Sequence, residues 1–66
     1  MTIRLNGDPY ELPGELSLLQ LLERLQIDPR RVAVEHNLTI IKRDRLATTT
    51  VAEGDQVEVV NFVGGG

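Results

Sequence analysis

The sequence contains no cysteine and only one histidine among its 66 residues. A chain of this length lies near the lower size limit for unaided folding, and smaller domains usually depend on disulfides or bound metals. Without cysteine and with a single histidine, the chain can form neither a disulfide nor a zinc site built from cysteine and histidine. Because 41% of the residues are hydrophobic, we expect an ordinary hydrophobic core to hold one small domain.

The sequence also lacks long apolar stretches and an excess of positive charge. Its longest apolar runs are two or three residues, as in Val32-Ala33-Val34, whereas a membrane-spanning helix needs about 20. Seven basic residues against ten acidic ones give a net charge of -3, which disfavours binding to a phosphate backbone. Residues 1–6 lack the basic and apolar segments of a signal peptide. We therefore expect a cytoplasmic protein whose partners are neither membranes nor nucleic acids.

The beginning of the chain predicts a β-hairpin. Residues 2–6 alternate apolar and polar side chains, which is the period of a half-buried strand. The segment Asn6-Gly7-Asp8-Pro9 is typical of a turn, because Asn and Gly tolerate positive φ and Pro cannot continue a strand ladder. A second strand over residues 10–12 should pair with the first.

The next segment predicts a single amphipathic helix. Ser17 and Gln20 have the spacing of a capping box, so the helix should begin at Ser17. Leucines recur at the spacing of one helix face, at Leu18, Leu21, Leu22 and Leu25. Asp28-Pro29 should end the helix after about nine residues, which is too short for stability in isolation. The helix must therefore pack on a sheet.

The remainder of the chain predicts further strands around this helix. The segments are a central strand over 32–34, a turn over 35–37, a return strand over 39–42, an irregular or single-turn helical stretch over 46–51, and a last strand over 56–62. Strands grouped around one helix indicate an α+β domain.

The side chains predict no catalytic site and no bound metal. The lone His36 falls in a predicted turn with no identifiable carboxylate partner, and Ser17 is used as a helix cap. The carboxylates lack the spacing of a metal site. We therefore do not expect an enzyme.

The C-terminal glycines are the most informative feature for function. Gly64, Gly65 and Gly66 directly follow Phe62 and Val63, and glycine has no side chain with which to stabilise a fold. Extended, residues 63–66 span roughly 13 to 14 Å, enough to enter a narrow cleft of a partner. A terminal carboxylate resists nucleophiles until it is activated, for example as an acyl-adenylate. The glycines thus favour a carrier or modifier activated at Gly66, although a frayed end is the structural alternative.

Four motifs together resemble a known family. They are Asn6-Gly7, Val32-Ala33-Val34-Glu35 with Asn37, Gly54-Asp55-Gln56-Val57-Glu58-Val59-Val60, and Phe62-Val63-Gly64-Gly65-Gly66. The chain resembles the ubiquitin-like β-grasp proteins, and among them the bacterial thiamine-biosynthesis sulfur carriers of the ThiS family. This resemblance implies a β-grasp domain over residues 1–63, with a mixed four- to five-stranded sheet wrapped over one main helix, and a flexible tail over residues 64–66.

The resemblance also implies a function. A ThiF-like enzyme would adenylate Gly66, and a sulfur donor such as a cysteine desulfurase would supply the sulfur of a C-terminal thiocarboxylate. Thiazole synthase would receive that sulfur. The acyl-adenylate and the thiocarboxylate would be covalent modifications, and no cofactor would be bound. Val60, Phe62 and Val63 would form the partner interface, with packing on the second sheet face as the alternative for Phe62.

Three other functions remain open at this stage. A molybdopterin-synthase small subunit has the same fold and a diglycine end. A ubiquitin-like modifier would form isopeptide bonds with lysines of other proteins. An adaptor domain would make no use of its glycine tail.

Overall fold

The computed structural model describes residues 1–62, so Val63 and the predicted tail Gly64 to Gly66 lie outside the described residues. The elements in chain order are β1 (Thr2–Leu5), β2 (Asp8–Glu11), β3 (Leu16–Ser17), α1 (Leu18–Arg24), β4 (Val32–His36), β5 (Thr39–Ile41), β6 (Thr50–Val51) and β7 (Gln56–Asn61). Two 3-10 helices occupy Pro29–Arg31 and Arg43–Thr48.

Five of the strands form one mixed sheet, in the order β2-β1-β7-β4-β5. The β1–β7 pair is parallel, and the other three pairs are antiparallel. One α-helix covers a single face of this sheet, which confirms the predicted α+β architecture. The core between helix and sheet consists of aliphatic residues only: Ile3, Leu12, Leu18, Leu21, Leu22, Val32, Val34, Leu46, Val51 and Val57.

The helix begins as predicted and ends earlier than predicted. The Gln20 N–H donates to Ser17 Oγ at 3.1 Å, and the Ser17 N–H donates to Gln20 Oε1 at 2.9 Å, completing the capping box. At the other end Gln26 has a φ of 61°. The N–H groups of Gln26 and Ile27 donate back to the carbonyls of Glu23 and Leu22. This Schellman motif stops the helix before Asp28-Pro29 can do so.

Two short strands were missed by the sequence patterns. β3 pairs with β6 in a separate two-stranded sheet, with Leu16 opposite Val51. The stretch over 46–51, predicted to be irregular or a single helical turn, ends the 3-10 helix Arg43–Thr48 in agreement with the helical alternative, and then forms β6, which was not predicted. Two-residue strands show no alternation, so only their pairing across the fold defines them.

Both β-hairpins close through two-residue turns with positive φ. Asn6 and Gly7 form the first turn, with φ of 51° and 87°, as the sequence predicted. β2 then starts at Asp8, two residues before the predicted start, and includes Pro9. An edge strand tolerates proline because one of its sides has no ladder to maintain.

The predicted turn over residues 35–37 is wrong. β4 continues through His36, and the turn consists of Asn37 and Leu38, with φ of 50° and 71°. Asparagine adopts this left-handed conformation readily, whereas leucine does so at a cost. The Leu38 side chain is 79% exposed, so burial of the side chain does not offset the backbone strain.

His36 has the carboxylate partner that the sequence did not identify. Its Nε2 lies 2.7 Å from Asp55 Oδ2, which also accepts the Ala52 N–H at 2.8 Å. Asn37 adds a bond from its side-chain nitrogen to Asp55 Oδ1 at 3.3 Å, and its own amide oxygen accepts the Gln56 N–H. Burial raises the pKa of Asp55, but hydrogen bonds from His36, Ala52 and Asn37 outweigh it and hold the pKa below its ordinary value. This polar cluster fastens the β4–β5 turn to the loop before β7.

Replacing Leu38 by glycine should stabilise the domain. Leucine in the left-handed region costs about 1–2 kcal/mol, a cost that glycine avoids. Glycine also has greater conformational freedom in the unfolded chain, which cancels part of this benefit, so we expect the free energy of unfolding to rise by about 0.5–1 kcal/mol. Urea unfolding of Leu38→Gly measures it. Leu38→Ala, which keeps the strain, is the control, and an equal gain in both variants would contradict the explanation.

The Asp55 cluster should make stability depend on pH in the acid range. The folded pKa of Asp55 lies below its ordinary 3.8, so its contribution is present above that value and is lost as pH falls through the folded pKa. The difference in unfolding free energy between the native chain and Asp55→Asn should therefore shrink as pH falls from about 5 to about 2. A difference that stays constant, or an Asp55 carboxyl that titrates by NMR above 3.8, would count against this account.

Candidate functional site

The last strand presents an apolar surface on the sheet face away from the helix. Side chains alternate along β7, so Val57 is buried in the core while Val60 and the following Phe62 are 56% and 59% exposed. Ala33 of β4 lies directly opposite Val60. More than half of the Phe62 surface is exposed, so any packing on the second sheet face covers the smaller part of it. The exposed side chains stand at the end of the sheet where the chain leaves β7 toward Val63.

The return strand adds an apolar residue that the sequence analysis did not single out. Ile41 of β5 is half-buried and faces the core, so the preceding Ile40 points to the opposite face and is 71% exposed. The predicted return strand could have revealed the exposed position of Ile40, because neighbouring side chains of a strand point to opposite faces.

A groove of about 370 Å³ lies where β5 ends beside β4. Apolar and basic residues both line it, among them Val32, Ala33, Ile40, Lys42, Arg43 and Phe62. The groove connects the Phe62 surface with the start of the second 3-10 helix. It brings together residues of β4, β5 and both 3-10 helices with Lys42 and Phe62, and sequence periodicity alone does not relate these segments to one another.

The basic residues around the groove differ in their partners. Arg30 donates to Asp28 through Nε at 3.1 Å and Nη2 at 2.9 Å. The Arg30 side chain and its backbone N–H lower the pKa of Asp28 to about 2, and Asp28 in turn raises the pKa of Arg30. Neither Lys42 nor Arg43 forms an ion pair within residues 1–62. Their charges are therefore the ones available to a ligand.

The part of the chain that the structure describes shows no cluster of metal ligands. No group of three or more potential metal ligands occurs there, and the one histidine is engaged by Asp55 in a structural cluster. No helix within residues 1–62 is long and apolar enough to cross a membrane. The predicted sulfur-carrying Gly66, with Gly64, Gly65 and Val63, lies outside the described residues.

The fold and the sequence match a known family. The sequence model that describes the ThiS family matches residues 3–66 of this chain. The crystal structure of the thiamine biosynthesis protein ThiS from Geobacter metallireducens superimposes with a TM-score of 0.89 and 36% sequence identity, over the whole of both chains. The likeness therefore extends from the first strand to the last.

Two curated relatives show different lengths. The sulfur carrier protein ThiS of Bacillus subtilis is 34% identical over 65 residues, covering 97% of this chain and 98% of that protein. A thiazole synthase of Magnetococcus marinus is 41% identical over 66 residues, which is all of this chain but 20% of that protein. This chain thus spans about a fifth of the thiazole synthase. The family match over nearly all residues, together with the shared fold, shows that the chain belongs to the ThiS family.

Proposed function

We propose that this chain is a sulfur carrier of thiamine biosynthesis and acts as a co-substrate of partner enzymes. The observation that carries the proposal is the match along almost the full length of both chains to the sulfur carrier protein ThiS of Bacillus subtilis. The exposed Val60 and Phe62 at the end of β7 support it, because they offer a partner an apolar surface next to the glycine segment.

In this proposal the chemistry takes place at the carboxyl group of Gly66. A carboxylate oxygen attacks the α-phosphorus of ATP in a ThiF-like adenylating enzyme, and pyrophosphate leaves. A thiol reduces the persulfide of a donor such as a cysteine desulfurase, which forms a disulfide and releases hydrosulfide. The hydrosulfide then attacks the acyl carbon, and AMP leaves. The resulting thiocarboxylate passes its sulfur to thiazole synthase.

The chain itself contributes position and shape to these steps. Gly64 and Gly65 carry no side chains, so a narrow cleft can admit them together with Gly66. Val60, Phe62 and Val63 provide the surface that docks on the adenylating enzyme. Apolar anchors of this kind commonly carry most of the binding energy of an interface.

The partnership with thiazole synthase has independent support. A segment similar to this whole chain occurs within a thiazole synthase of Magnetococcus marinus, a protein about five times as long. A carrier-like segment and a thiazole synthase joined in one polypeptide are what we expect when a carrier domain and its acceptor work together. The acceptor of a separate carrier would then be a thiazole synthase without this segment.

Intact mass spectrometry should detect the sulfur transfer directly. After incubation with ATP, the adenylating enzyme and a sulfur source, we expect the full chain to gain the mass difference between one sulfur and one oxygen. A chain lacking Gly66 should show no gain while melting at the same temperature as the full chain. Sulfur uptake by this shortened chain would refute the carrier role of Gly66, and conjugates to lysine of other proteins would instead indicate a modifier.

The Phe62 surface should matter for activation and not for folding. We expect Phe62→Ala to lower kcat/KM for adenylation by about tenfold, the effect of losing a moderate interface anchor. Leu38→Ala is the matched control, because Leu38 is also an exposed apolar residue but lies in the turn at the opposite end of β4. Equal adenylation of both variants would contradict the interface.

A further inference from the structure

The start of β4 has an unpaired sheet edge. The Asn37 N–H donates to the Gln56 carbonyl at 2.8 Å, and the Phe62 N–H donates to the Arg31 carbonyl at 2.9 Å. In an antiparallel pair the bonded positions alternate. The odd-numbered residues from 31 to 37 therefore turn their peptide groups toward β7, and the even-numbered residues turn theirs toward β5.

β5 is too short to cover all of the even-numbered positions. It pairs Thr39 with His36 and Ile41 with Val34, after which the chain enters the 3-10 helix that starts at Arg43. No strand of the described chain lies opposite Val32, and its N–H and carbonyl have no backbone partner on this side. Val32 is only 6% exposed, so its peptide groups border the groove and not open solvent. An unpaired donor and acceptor on a strand edge are the groups that an added strand uses.

The side chains around this edge define what could bind there. The groove beside Val32 has apolar walls at Ile40 and Phe62, both largely exposed. Its rim carries Lys42 and Arg43, neither of which forms an ion pair within residues 1–62. A complementary ligand is therefore extended, apolar on one side and negatively charged.

A second copy of the chain fits this edge poorly. The acidic edge strand of the sheet is β2, which contains Asp8 and Glu11. The Leu12 N–H donates to the Met1 carbonyl at 2.8 Å, so by alternation Pro9 and Glu11 turn their peptide groups outward, away from β1. Proline has no N–H to donate. The free edge of β2 thus lacks a donor at its centre.

We propose that the edge at Val32 docks an extended acidic segment of a partner protein by strand addition. The segment pairs with the Val32 N–H and carbonyl, places an apolar side chain between Ile40 and Phe62, and sets carboxylates against Lys42 and Arg43. This contact goes beyond the sulfur-carrier role. It shares Phe62 with the surface proposed for the adenylating enzyme, but it uses no atom of residues 63–66 and does not require sulfur transfer.

An NMR titration tests the proposal with a defined probe. The ¹⁵N-labelled full chain is titrated with a pentapeptide of alternating glutamate and valine, acetylated and amidated at its ends. We expect shifts centred on Val32, Ile40 and Lys42, and slower hydrogen exchange of the Val32 amide. The same peptide with lysine in place of glutamate should bind at least about tenfold more weakly, since complementary charge becomes like charge.

Charge-reversal variants identify the contacting cations. Lys42→Glu and Arg43→Glu should each weaken binding of the glutamate peptide by about five- to tenfold, as for reversal of one charge in an exposed ion pair. Arg24→Glu, an equally exposed basic position on α1, should leave the affinity unchanged. All three positions are exposed, so thermal melts should show folded variants.

Several outcomes would overturn the proposal. Equal affinity for the two peptides would refute the charge selection, and binding without protection of the Val32 amide would refute strand addition. If the same signals shift with protein concentration alone, a second copy occupies the edge. If they shift when residues 63–66 are deleted, the chain's own terminus occupies it.

Discussion

The pairing of β7 between β1 and β4 is the constraint on which the rest of the structure depends. β7 is the central strand of the sheet, and its inward Val57 is buried against the helix. Its parallel partner β1 lies at the other end of the sequence, so the whole intervening chain must be arranged before this contact closes. Because β7 is held on both sides, its last residue, Asn61, has a fixed place in the sheet.

The two faces of the sheet differ in how far their side chains are buried. The inner face and the seven-residue helix form an aliphatic core, which the helix needs because a helix of this length is unstable alone. The outer face near the end of β7 carries Val60, Phe62 and Ile40, which leave apolar area in water. Leaving these side chains exposed forgoes burial that a small domain could use, which is the cost expected of a docking surface.

Charge is distributed unevenly in spite of the acidic total. Arg30 is neutralised by Asp28, while Lys42 and Arg43 keep their charges at the groove. The net charge of -3 argued against nucleic acid, but it gives no information about this local excess of positive charge. The acidic segment proposed above would therefore be attracted to one end of an acidic protein, because nearby exposed charges dominate over distant, screened ones.

The sequence by itself determined the features that depend on neighbouring residues. These are the capping box at Ser17, the first turn at Asn6-Gly7, and the alternation along β7 that separates Val57 from Val60. The glycine motif at residues 64–66, with its resemblance to the ThiS family, also came from the sequence alone. Each rests on contacts or patterns within a few residues, where spacing and propensity decide the outcome.

Only the tertiary structure decided the features whose partners are distant in the chain. His36 meets Asp55 across the sheet, β3 pairs with β6 over more than thirty residues and the groove joins Phe62 to Lys42. The end of the helix at Arg24 likewise departed from the proline signal, because Gln26 adopts a left-handed conformation that spacing does not reveal. Strand register sets which side chains meet and where an edge stays open, and register follows from the packing of the whole core.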